Sequence, residues 1–180
     1  MTDPFDVERL AVRELLRAYS GIMDELRRRG VLRSSNTPVS DYAEVLFCEA
    51  FGWCREKNSA SGHDATDKEG RRYQIKGRRL TAHRRSSRQS SAIRNLDRDP
   101  FDFLAGVLVD DHFQVIRAAI MPISVVRARS RPVTHTNSHK FHLRDDIWTM
   151  PEVRDVTEEL RAVASRIDEL LRPSKQKAEL

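Results

Sequence analysis

Residues 62–79 constrain this chain more than any other stretch. They read as two extended runs, 62–67 and 71–79, bridged by Lys68, Glu69 and Gly70. A three-residue loop ending in glycine suits a hairpin, because glycine takes the left-handed backbone that a β-carbon resists. The loop length sets the register: Asp67 pairs with Arg71 and, counting back, Asp64 pairs with Gln74. Side chains alternate across a strand, so Asp64, Gln74 and Lys76 share one face. Tyr73 and Ile75, with Ala65 and His63, take the other.

The flanks predict a mixed α/β domain. Val12, Leu15, Leu16, Tyr19, Ile22, Met23 and Leu26 recur at three- and four-residue spacing, which predicts a helix over 5–29 ended by Gly30. After a loop at 31–39, Ser40 reads as the N-cap of a second helix over 41–51, with Gly52 as its stop. A strand over 53–57 precedes the hairpin. Beyond it, a helix is expected at 88–96, then a buried apolar strand over 101–109 and a further strand over 113–121 closed by Pro122. A short helix over 123–130, an irregular or weakly extended 131–143 and a terminal helix over 151–172 complete the order. The 180 residues read as one domain: N-terminal helix and loop (1–39), motif-bearing core (40–122), irregular segment (123–150), C-terminal helix and tail (151–180).

Charge is distributed unevenly. Residues 71–94 hold nine Lys or Arg and no Asp or Glu; subtracting these nine from the net +5 leaves −4 elsewhere. A basic patch on an acidic remainder is the footprint of a polyanion partner, since neutralised phosphates release counterions. The chain has no run of apolar residues long enough for a membrane span. The N-terminus MTDPFDVERL is acidic and lacks the apolar stretch of a signal peptide. Cys48 and Cys54 match neither a zinc spacing nor a secretory pattern, so free thiols and a cytoplasmic location are expected.

The shared face of the hairpin gathers a carboxylate, an amide oxygen and an ammonium. Mg²⁺ prefers oxygen and takes one or two protein carboxylates beside waters and substrate phosphate. Asp64 supplies charge, Gln74 a neutral oxygen, and the Ile75 carbonyl a third ligand. Lys76 is placed to hold or deprotonate an attacking water. Mn²⁺ is expected to substitute for Mg²⁺.

An Asp on one strand, Glu/Gln-x-Lys on the next and an acid on the preceding helix resemble the PD-(D/E)XK nuclease superfamily, over residues 40–120. Two positions depart from the family pattern: His63 stands in place of Pro, and Gln74 in place of the second acid. The resemblance implies a restriction-endonuclease-like core: helix, three-stranded antiparallel segment, helix and two further strands, here with added N- and C-terminal helices. It implies catalytic Asp64, Gln74, Lys76 and Glu44, with Glu44 joining Asp64, Gln74 and Ile75 around the metal. The activity implied is Mg²⁺-dependent endonucleolytic cleavage of DNA, of restriction or defence type. A catalytically silent nucleic-acid-binding module with the same fold is the alternative, and RNA is an alternative target.

Arg72, Arg78, Arg79, Arg84, Arg85 and Arg88 are expected to grip phosphates or read guanine edges. Cutting both strands takes two sites, so a homodimer is expected, joined through the 5–29 or the 151–172 helix. His135, His139 and His142 lack a cysteine or acidic partner and read as phosphate or base contacts rather than a zinc site. Trp53 and Trp148 read as packing residues.

Overall fold

The computed structural model describes residues 6–34, 37–56, 62–81 and 88–171. A single turn of 3₁₀ helix at Val7–Arg9 leads into α1 (Val12–Arg28), not one helix from residue 5. The break falls at Ala11, whose N–H is capped by Glu14 Oε2 at 2.8 Å. The next helix, α2 (Pro38–Phe51), begins earlier than Ser40. Pro38 presets the helical φ and has no N–H to leave unpaired, so Thr37 becomes the cap. Gly52, at φ 65°, ends the helix.

Three antiparallel strands follow: β1 (Cys54–Arg55), β2 (Ala65–Thr66) and β3 (Arg72–Arg79). The hairpin register is the one the loop dictates. Ala65 pairs with Tyr73, Thr66 with Arg72, and the Asp67 N–H reaches the Arg71 carbonyl at 3.1 Å. Gly70 supplies the turn at φ 78°.

From β3 the chain crosses over to β5 (Phe103–Val109), which runs parallel to β3. The helix expected at 88–96 is absent: Ile93–Arg94 forms β4, and a 3₁₀ turn spans Leu96–Arg98. Asn95, at φ 53°, is incompatible with a continuous helix there. β6 (Val115–Pro122) pairs antiparallel to β5, and α3 (Ile123–Arg129) follows. The 131–143 stretch is ordered as strands: β7 (Arg131–Val133) and β8 (Ser138–Lys140) join β4 in a three-stranded sheet ordered β4-β8-β7. Both of its pairings are too short to leave a period in the sequence.

The terminal helix of 151–172 is also broken up. β9 (Arg154–Asp155) closes the six-stranded mixed sheet, ordered β1-β2-β3-β5-β6-β9. The Asp155 carboxylate accepts the Thr157 N–H at 3.0 Å, and only there does α4 (Thr157–Ala164) start, followed by α5 (Ile167–Leu170). Thr157 Oγ1 also accepts the Ala118 N–H at 3.0 Å, which ties the helix start to β6.

β5 is central and buried on both faces, as its FLAGVLV sequence requires. On one side of the sheet α2 and α4 bury Leu46, Phe47, Ile75, Val107 and Leu160. On the other, Leu104 and Leu108 meet Ile93, Leu96, Phe141 and Leu143 from the second sheet and its flanks. Gly77 marks the closest approach of α2: a β-carbon there would lie 2.6 Å from the Val39 carbonyl oxygen. Trp53 and Trp148 pack as expected. Trp53 stacks on Tyr73 with ring centroids 3.7 Å apart, and Trp148 Nε1 donates to the Ala118 carbonyl. Cys48 is buried and Cys54 exposed, both as free thiols. Among the described residues no helix is long and apolar enough to cross a membrane.

Candidate active site

β3 carries the site. Its alternation turns Tyr73, Ile75 and Gly77 toward α2, and turns Gln74, Lys76 and Arg78 to the face of their partners Leu104, Gly106 and Leu108. Asp64 lies just before β2 and meets β3 through both backbone and side chain. Its N–H reaches the Tyr73 carbonyl at 2.8 Å, and its Oδ2 accepts the Ile75 N–H at 2.6 Å. The same oxygen accepts the Gln74 Nε2 amide. The hairpin register thus brings Asp64 and Gln74 into direct contact.

Lys76 is half-buried beside them. Burial lowers its pKa below the ordinary lysine value, against the opposing pull of the Asp64 and Glu44 carboxylates. A lysine held this way gives up a proton more readily than one in water.

Asp64, Gln74 and the Ile75 carbonyl offer the oxygen chemistry that a hard divalent ion takes. The N–H and C=O of one strand residue face the same edge, so the Ile75 carbonyl opens toward Asp64. Gln74 turns its nitrogen to Asp64, and a half-turn of the amide exchanges it for Oε1. Both hydrogen bonds to the Asp64 carboxylate from described residues fall on Oδ2. A site made only of His, Cys, Asp and Glu has no counterpart: among the described residues no three such side chains gather.

Glu44 stands on α2, on the other face of the sheet from Lys76, although its charge reaches that lysine. Its side chain is 14% exposed, and Oε2 is held by Arg33 at 2.5 Å and Arg55 at 3.0 Å. Those two arginines lie outside the basic run, and sequence reasoning passed over them. Each is eleven residues from Glu44, and no periodicity links them. The neighbouring Asp41 is buried, and its Oδ2 accepts the Arg33 and Ser34 N–H groups and the Ser34 hydroxyl. Burial opposes its ionisation, but these bonds and the Arg55 charge outweigh it, so its pKa falls below the usual carboxylate value.

The basic residues divide into two kinds. Arg72 is clamped by Asp102, with Nη2 at 2.8 Å from Oδ1, and Arg88 meets Asp145 at 2.5 Å. Arg78 and Arg79 line a groove of about 1090 Å³ at the end of β3, with the Arg79 guanidinium 5.2 Å from the centre of the Phe113 ring. That groove does not include Asp64, Gln74 or Lys76. Arg84 and Arg85 lie outside the described residues. His135 is on a 3₁₀ turn, His139 on β8, and His142 bridges to Gln89. Burial first, then Arg144, Arg131 and Lys140, lower the His142 pKa.

No protein-family model matches the chain, and no curated protein matches it.

Proposed function

We propose that this protein is a Mg²⁺-dependent endodeoxyribonuclease with a restriction-endonuclease-like core. The observation that carries the reading is the meeting of Asp64, Gln74 and half-buried Lys76 at one end of the β2–β3 hairpin. The order of elements supports it: a helix, three antiparallel strands, a crossover and a strand parallel to the motif strand, then one antiparallel to that. The crossover departs from the family in having β4 and a 3₁₀ turn where its helix is expected.

Asp64, Gln74 Oε1 and the Ile75 carbonyl would hold the ion, with Glu44 contributing through its charge. Bound there, a divalent ion supplies Lewis acidity toward the phosphate and acidifies a water. Lys76, with its lowered pKa, takes the proton from the attacking water, and its ammonium then offsets charge building on the phosphate. Arg78 and Arg79, at the end of β3, hold the backbone of the duplex.

A second reading has its own support. Asp64 is already satisfied by two donors, and Glu44 by two guanidinium groups. A module that keeps the fold and binds nucleic acid without cutting would look like this.

The test is incubation with supercoiled and linear DNA at low salt, with Mg²⁺, Mn²⁺ or EDTA, beside Lys76→Ala. Metal-dependent cleavage lost in the variant is the expected result. Salt-sensitive binding without cleavage in both proteins selects the second reading. Cleavage that survives Lys76→Ala removes the site assignment.

A further inference from the structure

Among the described residues, α1 is the element whose apolar surface lacks cover. It buries Met23 and half-buries Leu26, while residues 12–20 are all exposed. Val12 is 73% exposed, Leu16 63% and Tyr19 59%, and Leu10, Leu15 and Ile22 are exposed with them. From Val12 onward they recur at three- and four-residue spacing and so form one stripe, not scattered surface residues. With Val7 the stripe presents roughly 700 Å² of surface, close to the ~800 Å² each partner gives to a standard interface and above the ~300–600 Å² of the largest patch on a typical monomer. A helix segment of this length is marginal alone in water, and packing normally supplies its stability.

The stripe runs into the 1090 Å³ groove. One wall of the groove is the second half of α1 itself, Tyr19, Ile22, Met23 and Leu26; the other includes Tyr42 and Phe113. An apolar stripe on one half of a helix and an apolar groove beside its other half are complementary under a two-fold axis. In the C-terminal region Val156, Leu160 and Val163 are buried against the sheet, while Ile167 and Leu171 line the same groove as the second half of α1.

We propose that a second copy of this chain covers the stripe, with the two α1 helices antiparallel about Tyr19. Val12 of each copy then meets Leu26 of the other, and Leu16 meets Ile22, with the first half of each helix lying in the other's groove. The assembly does not depend on the nuclease reading: it follows from the uncovered area and its self-complementarity.

Sedimentation velocity over a concentration series tests it, with the intact chain beside a Leu16→Asp, Tyr19→Asp double variant. Both residues are exposed, so the variant keeps the fold, which circular dichroism checks. The expected result is a dimer whose association weakens at least about 100-fold in the variant. A monomer at every concentration, or a dimer indifferent to the two substitutions, overturns the proposal. Tyr19→Cys in a Cys54→Ser background reports the geometry, because the antiparallel pairing puts the two introduced thiols together on the axis. A disulfide-linked dimer under mild oxidation is expected, and a dimer that fails to cross-link through them overturns the antiparallel pairing.

Discussion

The Asp64 carboxylate accepts the backbone N–H of Ile75 at 2.6 Å, where a longer β2 would have offered a carbonyl. One side chain therefore both finishes a strand ladder and faces the candidate metal position. The two roles separate by substitution. Asp64→Asn keeps an acceptor for Ile75 and loses the charge; Asp64→Ala leaves the Ile75 N–H unpaired. Urea unfolding should place Asp64→Ala about 1–3 kcal/mol below wild type and Asp64→Asn nearer to it. Both should lose metal-dependent cleavage. Equal stabilities for the two variants would discard the strand-capping role.

Burial of the Lys76 ammonium costs stability. It disfavours the charged form, so the folded protein releases the lysine proton below pH 10.5, the ordinary lysine value. The sign follows: the penalty is complete below the folded pKa and fades as pH rises toward 10.5, because the unfolded chain then holds more protons. Lys76→Met, similar in length and apolar, should unfold at a higher temperature than wild type near neutral pH. Its advantage should shrink in thermal melts at progressively alkaline pH. A variant less stable than wild type at neutral pH would mean that the pairing with Asp64 outweighs burial.

Gly77 sits beside Lys76 and under α2. A methyl group there would lie 2.6 Å from the Val39 carbonyl and 2.9 Å from the Ala43 β-carbon, and backbone cannot move aside as a side chain can. Gly77→Ala should cost about 1–3 kcal/mol by overpacking and reduce cleavage by shifting β3. Unchanged melting and activity would show that α2 rides on the sheet more loosely than this contact implies.

The legible parts of the fold were those fixed by local chemistry. Gly52 and Gly70 take the left-handed conformations their positions demand, and the Gly70 loop set the register that joins Asp64 to Gln74. The illegible parts depend on distant partners. β4 exists because Ile93 and Arg94 meet His139 and Ser138, far along the chain. β9 interrupts a heptad-like run because two of its residues pair with β6. At the site the same division holds: the hairpin triad follows from alternation, whereas the Arg33 and Arg55 brace on Glu44 is assembled from three separate parts of the chain.

Asp41 makes acid stability specific. Its folded pKa lies below the ordinary 3.8, so its contribution is present above that pH and is lost as pH falls through the folded value. Asp41→Asn should therefore be destabilised by about 1.5–3 kcal/mol at neutral pH, the range for hydrogen bonds to a charged group. The gap to wild type should narrow below pH 3.8. Denaturant titrations at several acidic pH values check this, and a gap constant across the range would rule out ionised Asp41 as the tie between α2 and residues 33–34.

Arginine partners predict how binding responds to salt. Each phosphate neutralised contributes about 0.9 to the slope of log affinity against log salt. Arg79 is exposed and set against an aromatic ring, so Arg79→Gln should lower the slope by about 1. Arg72 donates to Asp102 from its backbone N–H at 2.8 Å, from Nε at 3.2 Å and from Nη2 at 2.8 Å, which largely cancels its charge toward a phosphate. Arg72→Gln should therefore change the slope much less, while Asp102→Asn, by releasing Arg72, should raise it. Fluorescence anisotropy with labelled duplex DNA across a salt series measures all three. Equal slope losses for Arg72→Gln and Arg79→Gln would mean that the Asp102 clamp opens on binding and that the whole basic run, not its end at β3, contacts the backbone.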